Sequence, residues 1–410
     1  MARILFVNRF YWPDETATGQ LLTDLAETLA RRGREVAVMT SLPPGAGPLP
    51  GRRKGVTIER LGSSRLDRPG LSAKFRDFAS FWVRSLVRLA QTTRRGDTIV
   101  AMTDPPMLGT GAAWIARMRR AACVQWIQDI YPELAVELSG RRSPRLLLPL
   151  RDGAWRWSAA CVTLGPGMAA VVAASRVDAA RLHIIPNWVP FGLGPPAAGA
   201  AAEVRAAWGV ADRFVVGYSG NLGRVHDLDA VLALATALRN ETGIVFALVG
   251  TGAGRKAIEA EASRRGLANL QMFPAQPREH LAASLSAADI HLVTLRAGCE
   301  KYVLPSKLYG VAAVGRPVLF LGPLDSDAAR MVIDGGFGIA IDAGHTAEAA
   351  SVLRRLGANP VARARMGAAA LDFAAQNGVE TAADRWERVL DASAARFETR
   401  GPAASHYSSS

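Results

Sequence analysis

The sequence predicts an α/β protein with two Rossmann-like domains, each holding a parallel sheet, that face a central cleft. Three observations support this prediction. Short apolar segments alternate with helical apolar patterns along nearly the whole chain, which is typical of parallel sheets covered by helices. At 410 residues the chain is too long for one compact core. A segment rich in proline, glycine and alanine separates two such alternating regions at 191–204.

The domain bounds follow from this pattern. We expect a first domain at 1–190, a linker at 191–204 and a second domain at 205–379. A long helix is predicted at 380–398, and the polar segment that follows, 399–410, is expected to be disordered.

Charge is distributed unevenly between the two halves. Of the net charge of +13, residues 1–200 hold 27 Lys and Arg against 15 Asp and Glu, whereas residues 201–410 hold 22 against 21. A strongly basic half indicates a nucleic acid, an anionic membrane or an acidic substrate as a partner. No recognisable nucleic-acid-binding module accompanies it, so we expect no nucleic-acid partner.

The cysteines and the apolar runs favour a cytoplasmic protein. Cys123, Cys161 and Cys299 lie far apart and form no CxxC pair, so neither a zinc site nor a disulfide framework is expected. The chain opens directly into an apolar strand, with no signal peptide. Two uncharged runs, 157–175 and 182–202, contain turn residues or several prolines, and neither predicts a transmembrane helix.

A strand, a helix and a second strand open the chain. The strand at 3–8 is followed by a long loop, a helix at 21–32 and a strand at 35–40. No GxGxxG follows the first strand, so a dinucleotide site is not predicted. Gly19 lies just before the predicted helix, where it lets a ligand approach the backbone or simply leads into the helix; the sequence leaves both open.

A basic amphipathic helix is predicted after residue 70. Its apolar stripe consists of Phe75, Phe78, Trp82, Leu86 and Leu89. Such a helix either lies on an anionic membrane surface or packs its stripe on the core of the domain. A second basic helix with tryptophans, at 141–160, is a further candidate for a membrane-facing element.

Acidic residues follow the predicted strand at 124–127. Asp129 lies at its carboxyl end, where ligands collect in open α/β sheets. Capping of the following helix is the alternative role for Asp129. Glu133 and Glu137 are four residues apart and are expected on a solvated helix face.

Two glycine-bearing loops in the second domain predict an anion site. The first, after the strand FVVGYSG, holds Gly220, Asn221, Gly223, Arg224 and His226. Glycines let the backbone approach an anion, and arginine binds a diphosphate as a fork. The second loop holds Gly250 and Gly252 after the strand at 244–249.

The stretch 295–322 contains the helix start on which the predicted site depends. Pro305 suits the first turn of a helix, and Ser306 can satisfy its free backbone donors. Lys307 adds a mobile cation at the positive end of the helix, and Leu308 begins its apolar repeat. We expect a diphosphate to bind here, with an ordinary helix carrying a solvated lysine as the alternative.

No metal ion or other cofactor is expected. Asp325 and Asp327 have the spacing of a metal-binding aspartate pair, but they open an apparent helix, where capping explains them. Without a metal, Arg224 and Lys307 are the cations that would stabilise a departing nucleoside diphosphate.

These motifs, in this order, resemble glycosyltransferase family 4 of the GT-B class. The resemblance is closest to the subgroup that builds bacterial capsule, O-antigen or colanic-acid polysaccharides, and it covers nearly the whole chain. The segments that carry it are YWPDETATG, WIQDIYPE, IPNW, GYSGNLGRVHD, LVGTG and LPSKLYGVAAVGRPVLF. It implies that the second domain binds a nucleotide-sugar, that the first binds an acceptor, and that the helix at 380–398 crosses back onto the first domain.

Members of the family carry two glutamates separated by seven residues, and this chain departs from that pattern. Gly310 occupies the second position and Tyr302 occupies its partner position. Glu300 lies nearby but out of register, and it is assigned as a catalytic candidate together with Asp129. The resemblance implies that Asp129 positions or deprotonates an acceptor hydroxyl.

The diphosphate loop also departs from the family. Asn221 and His226 stand where many members carry arginine and lysine, and Arg224 is expected to substitute. The residues assigned to the donor are Gly19, Asn221, Arg224, His226, Gly250, Gly252, Ser306, Lys307 and Leu308.

The resemblance implies a cytoplasmic glycosyltransferase that is peripheral on the inner face of the plasma membrane. It would move a hexosyl or N-acetylhexosaminyl group, by family habit from a UDP-sugar, to a polyprenyl-diphosphate-linked saccharide with retention of configuration. The expected partners are that donor, the lipid-linked acceptor and the anionic membrane surface. Two alternatives stay open: a nucleotide-sugar epimerase of GT-B architecture, and a non-catalytic basic membrane-binding protein.

Overall fold

The chain divides into two units, each described here by itself. The structure is a computed structural model that describes residues 2–43, 48–62 and 71–398, with the backbone alone at 71–75 and 397–398. The first unit comprises 2–136, 141–186 and 380–398, and the second comprises 137–140 and 187–379. The predicted tail at 399–410 lies outside the described residues.

The first unit is built on an eight-stranded sheet in the order β3-β4-β2-β1-β5-β6-β7-β8. All neighbouring strands are parallel except β3 and β4. The strands are β1 (Ile4–Val7), β2 (Val36–Ser41), β3 (Arg52–Arg53), β4 (Val56–Leu61), β5 (Thr98–Ala101), β6 (Ala122–Trp126), β7 (Ala160–Thr163) and β8 (Leu182–Ile184). Strands β1, β5, β6 and β7 are buried along their whole length, which explains their mainly apolar sequences.

Helices cover both faces of this sheet. They are α1 (Ala17–Arg31), α2 (Leu71–Thr92), α3 (Leu108–Arg119), α4 (Glu133–Ser139), α5 (Leu148–Trp157) and α6 (Pro166–Ala174), with short 3-10 helices at Ser143–Leu147 and Ala179–Arg181. Helices α2, α3 and α5 share one core with the sheet, to which Phe81, Leu108 and Ala154 contribute.

The amphipathic helix α2 uses its apolar stripe inside the unit. Leu89 is fully buried, and Trp82 and Leu86 pack against the same core. Leu86 fills the space beside Gly111, where an added Cβ would lie 2.5 Å from the Leu86 Cδ1. Core packing is therefore the correct interpretation for these residues, and the membrane interpretation of this stripe is wrong. The Phe75 side chain lies outside the described residues.

The second unit is built on a six-stranded, all-parallel sheet in the order β11-β10-β9-β12-β13-β14. Its strands are β9 (Phe214–Ser219), β10 (Ile244–Val249), β11 (Leu270–Phe273), β12 (Ile290–Thr294), β13 (Val318–Leu321) and β14 (Gly338–Ile341). Its helices are α7 (Ala200–Ala207), α8 (Leu228–Ala237), α9 (Arg255–Arg264), α10 (Arg278–Ser286), α11 (Lys307–Ala313), α12 (Asp327–Asp334), α13 (Thr346–Gly357) and α14 (Pro360–Gln376). The two predicted parallel-sheet α/β regions are thus confirmed.

The last helix, α15 (Val379–Glu398), packs in the first unit. Trp386 is fully buried, and its ring lies 4.8 Å from that of Trp126 on β6. At the end of α1, Arg32 bonds the carboxylates of three α15 residues at 2.6–2.7 Å. These residues are Glu380, Asp384 and Glu387.

Two element bounds differ from the sequence prediction. Helix α1 begins at Ala17 because the Thr16 side chain accepts a hydrogen bond from the Gly19 backbone N–H and caps the helix earlier. Helix α7 begins at Ala200, inside the predicted linker, and the division between the units falls after residue 186. Among the residues that the structure describes, no helix is both long and apolar enough to cross a bilayer.

Candidate functional site

Two loops meet at the carboxyl ends of β9 and β10 in the second unit. Gly220, Gly250 and Gly252 have φ angles of +133°, +147° and +141°, which favour glycine. A Cβ on Gly250 would lie 2.0 Å from the Gly220 carbonyl oxygen, and one on Gly252 would lie 2.7 Å from the Leu222 backbone N. Glycine is therefore required at both positions because the two loop backbones approach each other too closely for any side chain.

Lys307 lies against the same loop with its charge buried. The residue as a whole is half-buried, but its Nζ is inaccessible to solvent and has no hydrogen-bond partner among the described residues. The Nζ lies 3.8 Å from the centroid of the Tyr218 ring, and a Cβ on Gly220 would lie 3.6 Å from the Lys307 Cε. Burial lowers the pKa of this amine well below its usual value. An unpaired buried amine is costly, and a bound anion would satisfy it.

Tyr218 shapes this site, and the sequence pattern did not single it out. Its hydroxyl donates to the Asn221 carbonyl oxygen at 3.0 Å, and the Lys307 amine packs against the face of its ring. Tyr218 occupies an apolar strand position that is typical of the core, so strand pattern alone could not reveal its contact with a lysine from a distant helix.

His226 fixes the loop. Its Nδ1 lies 2.8 Å from the Thr294 carbonyl oxygen, to which it donates. Burial, and secondarily the nearby Lys307, lower the pKa of His226 to about 3, so its ring is neutral. A neutral ring that donates through Nδ1 leaves Nε2 as an acceptor, which does not suit a phosphate. The structure thus supports a positioning role for His226 better than the predicted contact with the donor.

Asn221 and Arg224 are exposed on this loop. No ion pair holds Arg224 within the described part of the chain, so its guanidinium is available to a ligand. Arg255 supports the neighbouring loop from below, because its guanidinium donates to the carbonyl oxygens of Gly250 and Phe273, each at 2.7 Å. The basic side chains near these loops therefore include Lys307, whose amine is buried, and Arg224, which is exposed.

Helix α11 begins at Lys307, and its start differs from the prediction. Ser306 is the N-cap residue but makes no side-chain capping hydrogen bond, and Pro305 precedes it. The predicted capping by Ser306 is therefore wrong, and its hydroxyl is not committed to the helix. Leu308 is fully buried, which makes it a core residue.

Glu300 has a local structural partner. Its Oε2 accepts from the Gly298 backbone N–H at 2.7 Å, and Gly298 has a φ of +87°. This bond closes a loop that is also tied to the diphosphate loop, because the Arg296 N–H donates to the Val225 carbonyl oxygen at 2.9 Å. A Cβ on Gly310 would make only ordinary contacts, at 3.7 Å and longer.

Asp129 lies at the carboxyl edge of the sheet in the first unit. Burial, and secondarily the charge of Asp104, raise the pKa of Asp129 to about 7. Asp104 is itself held by Arg9, with an Nε–Oδ1 distance of 2.8 Å. Helix α4 begins only at Glu133, so the capping alternative for Asp129 is wrong. A carboxyl group that titrates near neutral pH is suited to proton transfer.

Two further residues of the first unit, Gly19 and Glu133, were considered from the sequence. Gly19 lies within α1, where an added Cβ would meet Thr16 Oγ1 at 2.9 Å and Phe10 Cβ at 3.2 Å. These contacts leave little space for a side chain at this position, and a role for Gly19 in donor binding stays a prediction. Glu133 is not on a solvated face, because both its oxygens accept from the buried Arg151 at 2.8 and 2.9 Å.

The predicted capping at 325–327 is confirmed. Ser326 is the N-cap of α12, and its side chain accepts from the Ala329 backbone N–H at 3.1 Å. Across the described ranges no group of three or more His, Cys, Asp or Glu residues is placed to hold a metal ion.

Comparison with known proteins identifies the family. A model of the glycosyl transferase 4-like domain matches residues 16–188, and a model of glycosyl transferases group 1 matches residues 202–373. The colanic acid biosynthesis glycosyl transferase WcaI of Escherichia coli K12 is 30% identical over 332 residues, which cover 76% of this chain and 81% of WcaI. The chain belongs to glycosyltransferase family 4. This membership decides against the epimerase and non-catalytic alternatives.

Other known glycosyltransferases agree with this assignment. The glycosyltransferase WbjE of Pseudomonas aeruginosa is 25% identical over 350 residues, which cover 82% of this chain and 85% of WbjE. The crystal structure of Anabaena HepE in complex with UDP superposes with a TM-score of 0.73 at 16% identity, covering 95% of this chain and 100% of HepE. At that identity the superposition shows the fold alone, and the predicted GT-B class of this glycosyltransferase is confirmed.

Proposed function

We propose that this glycosyltransferase moves a sugar from a UDP-sugar to a polyprenyl-diphosphate-linked saccharide in bacterial surface polysaccharide synthesis. Transfer takes place at the inner face of the plasma membrane with retention of configuration. The names of WcaI and WbjE and the UDP complex of HepE support the reaction class and the nucleotide. The main support for the donor site is the Lys307 amine beside the glycine loop, which is buried and has no hydrogen-bond partner within the described ranges.

Charge and geometry indicate how the diphosphate of the nucleotide-sugar donor binds. The diphosphate lies against the loop after β9, where Gly220 exposes the backbone and Lys307 supplies a cation from beneath. Arg224 closes on the diphosphate from the solvent side, and the uncommitted Ser306 hydroxyl is available to it. When the glycosidic bond breaks, negative charge develops on the departing UDP, and these groups stabilise it without a metal.

Replacement of Lys307 by methionine tests the donor half. Methionine preserves the apolar contacts of the lysine stem and removes only the amine. Because a hydrogen bond to a charged group contributes about 1.5–3 kcal/mol, UDP affinity should fall about 10- to 100-fold in calorimetry. The free protein should become more stable, because an unsatisfied buried amine is removed.

Lys301→Met is the matched control. Lys301 is exposed and lies six residues earlier in the same segment. It should leave both UDP affinity and melting temperature unchanged. Unchanged UDP affinity in Lys307→Met, with a raised melting temperature, would show that the amine is buried as described but takes no part in donor binding.

The proposed activation of the acceptor hydroxyl depends on Asp129. We assign its carboxylate to the orientation or deprotonation of the acceptor hydroxyl, because its pKa of about 7 places it between its two protonation states near neutral pH. Asp129→Asn should lower transfer to a polyprenyl-diphosphate-linked saccharide about 100-fold and leave UDP affinity intact. Full transfer by this variant would remove Asp129 from the mechanism. The anomeric configuration of the product, read by NMR, tests retention.

A further inference from the structure

A surface of the first unit exposes large apolar side chains on two neighbouring helices. Trp114 and Met118 of α3 are 50% and 60% exposed, and Trp157 of α5 is 50% exposed. The rings of Trp114 and Trp157 lie 6.2 Å apart, edge to face, so the helices present one continuous apolar surface. Leu146, in the 3-10 helix before α5, is 83% exposed. We call these four residues the apolar patch.

An arginine-rich cavity adjoins the apolar patch. The cavity has a volume of about 660 Å³. Met118 belongs to the apolar patch and also lines the cavity, so the two are adjacent. Its other lining residues include Arg3, Arg88, Arg94, Arg95, Arg119 and Arg120. Thr93 also lines it, and its Oγ1 is buried without a hydrogen-bond partner within the described ranges. Such a cavity is suited to an anionic group that accepts hydrogen bonds.

Positive charge exceeds negative charge throughout this region. Residues 84–158 contain twelve arginines and six acidic residues. Two of these acidic residues are already paired, since Asp97 bonds Arg3 and Glu133 bonds Arg151. Glu59, which also lines the cavity, bonds Arg88. The exposed arginines for which the described residues provide no acidic partner include Arg94, Arg95, Arg117, Arg120 and Arg145.

The topology orients this surface relative to the sheet. Helices α3 and α5 run antiparallel to the strands they connect, so each begins at the carboxyl edge and ends at the amino edge. Leu146 therefore lies towards the carboxyl edge, where Asp129 is located, and Met118 lies at the amino edge beside the cavity. The ten residues of α5 span about 15 Å between these two edges.

The geometry points to an anionic phospholipid bilayer as the partner of this surface. The tryptophans and Leu146 enter the interfacial region, the arginines bind lipid phosphates, and the cavity accepts one headgroup. Tryptophan is enriched at membrane interfaces, and juxtaposed basic residues bind anionic lipids. A nucleic acid would use the arginines but would leave Leu146 and Met118 in water. The inference deepens the proposed function, since a lipid-linked acceptor lies in such a bilayer.

Flotation with phospholipid vesicles tests the surface. Vesicles of equal phosphatidylglycerol and phosphatidylcholine are compared with pure phosphatidylcholine, without nucleotide or acceptor. Arg94→Gln/Arg95→Gln/Arg117→Gln should bind the anionic vesicles about 100-fold more weakly, because each surface arginine contributes about fivefold. Trp114→Gln/Trp157→Gln should bind them more than about tenfold more weakly, because apolar insertion is lost.

The matched control changes three exposed arginines of the second unit. Arg239→Gln/Arg355→Gln/Arg365→Gln removes the same net charge and should float like the wild type. All substituted residues are exposed, so melting temperatures should agree within a degree or two. Equal flotation of the wild type on both vesicles, or equal loss in the control and in the triple variant of the first unit, would overturn the inference. Lys307→Met should float normally, which separates failure of docking from failure of the donor site.

Discussion

UDP binding should be coupled to the uptake of a proton by Lys307. In the free protein the amine is buried and has no acceptor among the described residues, so its pKa lies well below the usual value. A diphosphate beside it favours the charged form and raises that pKa again. Between the two pKa values the free protein carries a neutral amine and the complex carries an ammonium, so binding takes up one proton.

The sign and size of the effect follow from linkage. Below the pKa of the free protein the amine is charged in both states and the Kd is constant. Above it the Kd should rise about tenfold for each pH unit, or about 1.4 kcal/mol, until the pKa of the complex is reached. The work is best done above about pH 7.5, where the terminal phosphate of UDP, with a pKa of about 6, no longer titrates.

Calorimetry in two buffers of different ionisation enthalpy measures this proton directly. The difference in apparent enthalpy should correspond to an uptake of up to one proton per UDP in the wild type and to none in Lys307→Met. The same uptake in both proteins would assign the proton to another group. No uptake in the wild type at any pH from 7.5 to 10, a range that ends just below the ordinary lysine pKa of about 10.4, would refute the buried neutral amine.

Four further predictions concern other parts of the molecule. Gly250→Ala should lower the melting temperature and the UDP affinity, since its Cβ would lie 2.0 Å from a carbonyl oxygen; differential scanning fluorimetry and calorimetry measure both. Trp386→Ala should reduce the free energy of unfolding in urea by about 3–5 kcal/mol. Glu133→Gln should lower the free energy of unfolding by about 1.5–3 kcal/mol in the same assay, because the buried Arg151 guanidinium loses one of its two carboxylates and keeps Asp152. Asp104→Asn should lower the pKa of Asp129 and move the acidic limb of the pH–rate profile to lower pH, with an unchanged limb as the contrary result.

The fold was predictable because its signals are local. The strands β1, β5 and β10 are short apolar runs, and their burial on both faces requires that composition. The glycines of the second unit were also predictable as a group, since glycine at a strand end before a helix is typical of an anion loop. What they do not show is that Gly250 is required by the Gly220 backbone, which only the three-dimensional structure reveals.

The partners of the site residues were less predictable because they are distant in sequence. Lys307 packs on Tyr218, almost ninety residues earlier, and no pattern indicates that its amine is buried. The pairing of Glu133 with Arg151 could not be predicted for the same reason, since a glutamate on a helix is expected to face solvent unless its partner is known. The stripe of α2 was ambiguous because the same amphipathic pattern serves a membrane and a core, and Gly111 on another helix decides between them.

The return of α15 to the first unit determines the order in which the two units can be completed on the ribosome. Arg32 can form its ion pair only after Glu380, 348 residues later, has been synthesised, and the Trp126 ring is covered only after Trp386 has been synthesised. At about 5–20 residues per second, synthesis of the chain between Trp126 and Trp386 takes roughly 13–52 s, and the second unit is synthesised within this interval. During this interval the Trp126 ring of the nascent first unit is uncovered, so we expect chaperones to bind this face. Truncation of the chain before residue 386 should leave the face uncovered permanently and prolong that binding.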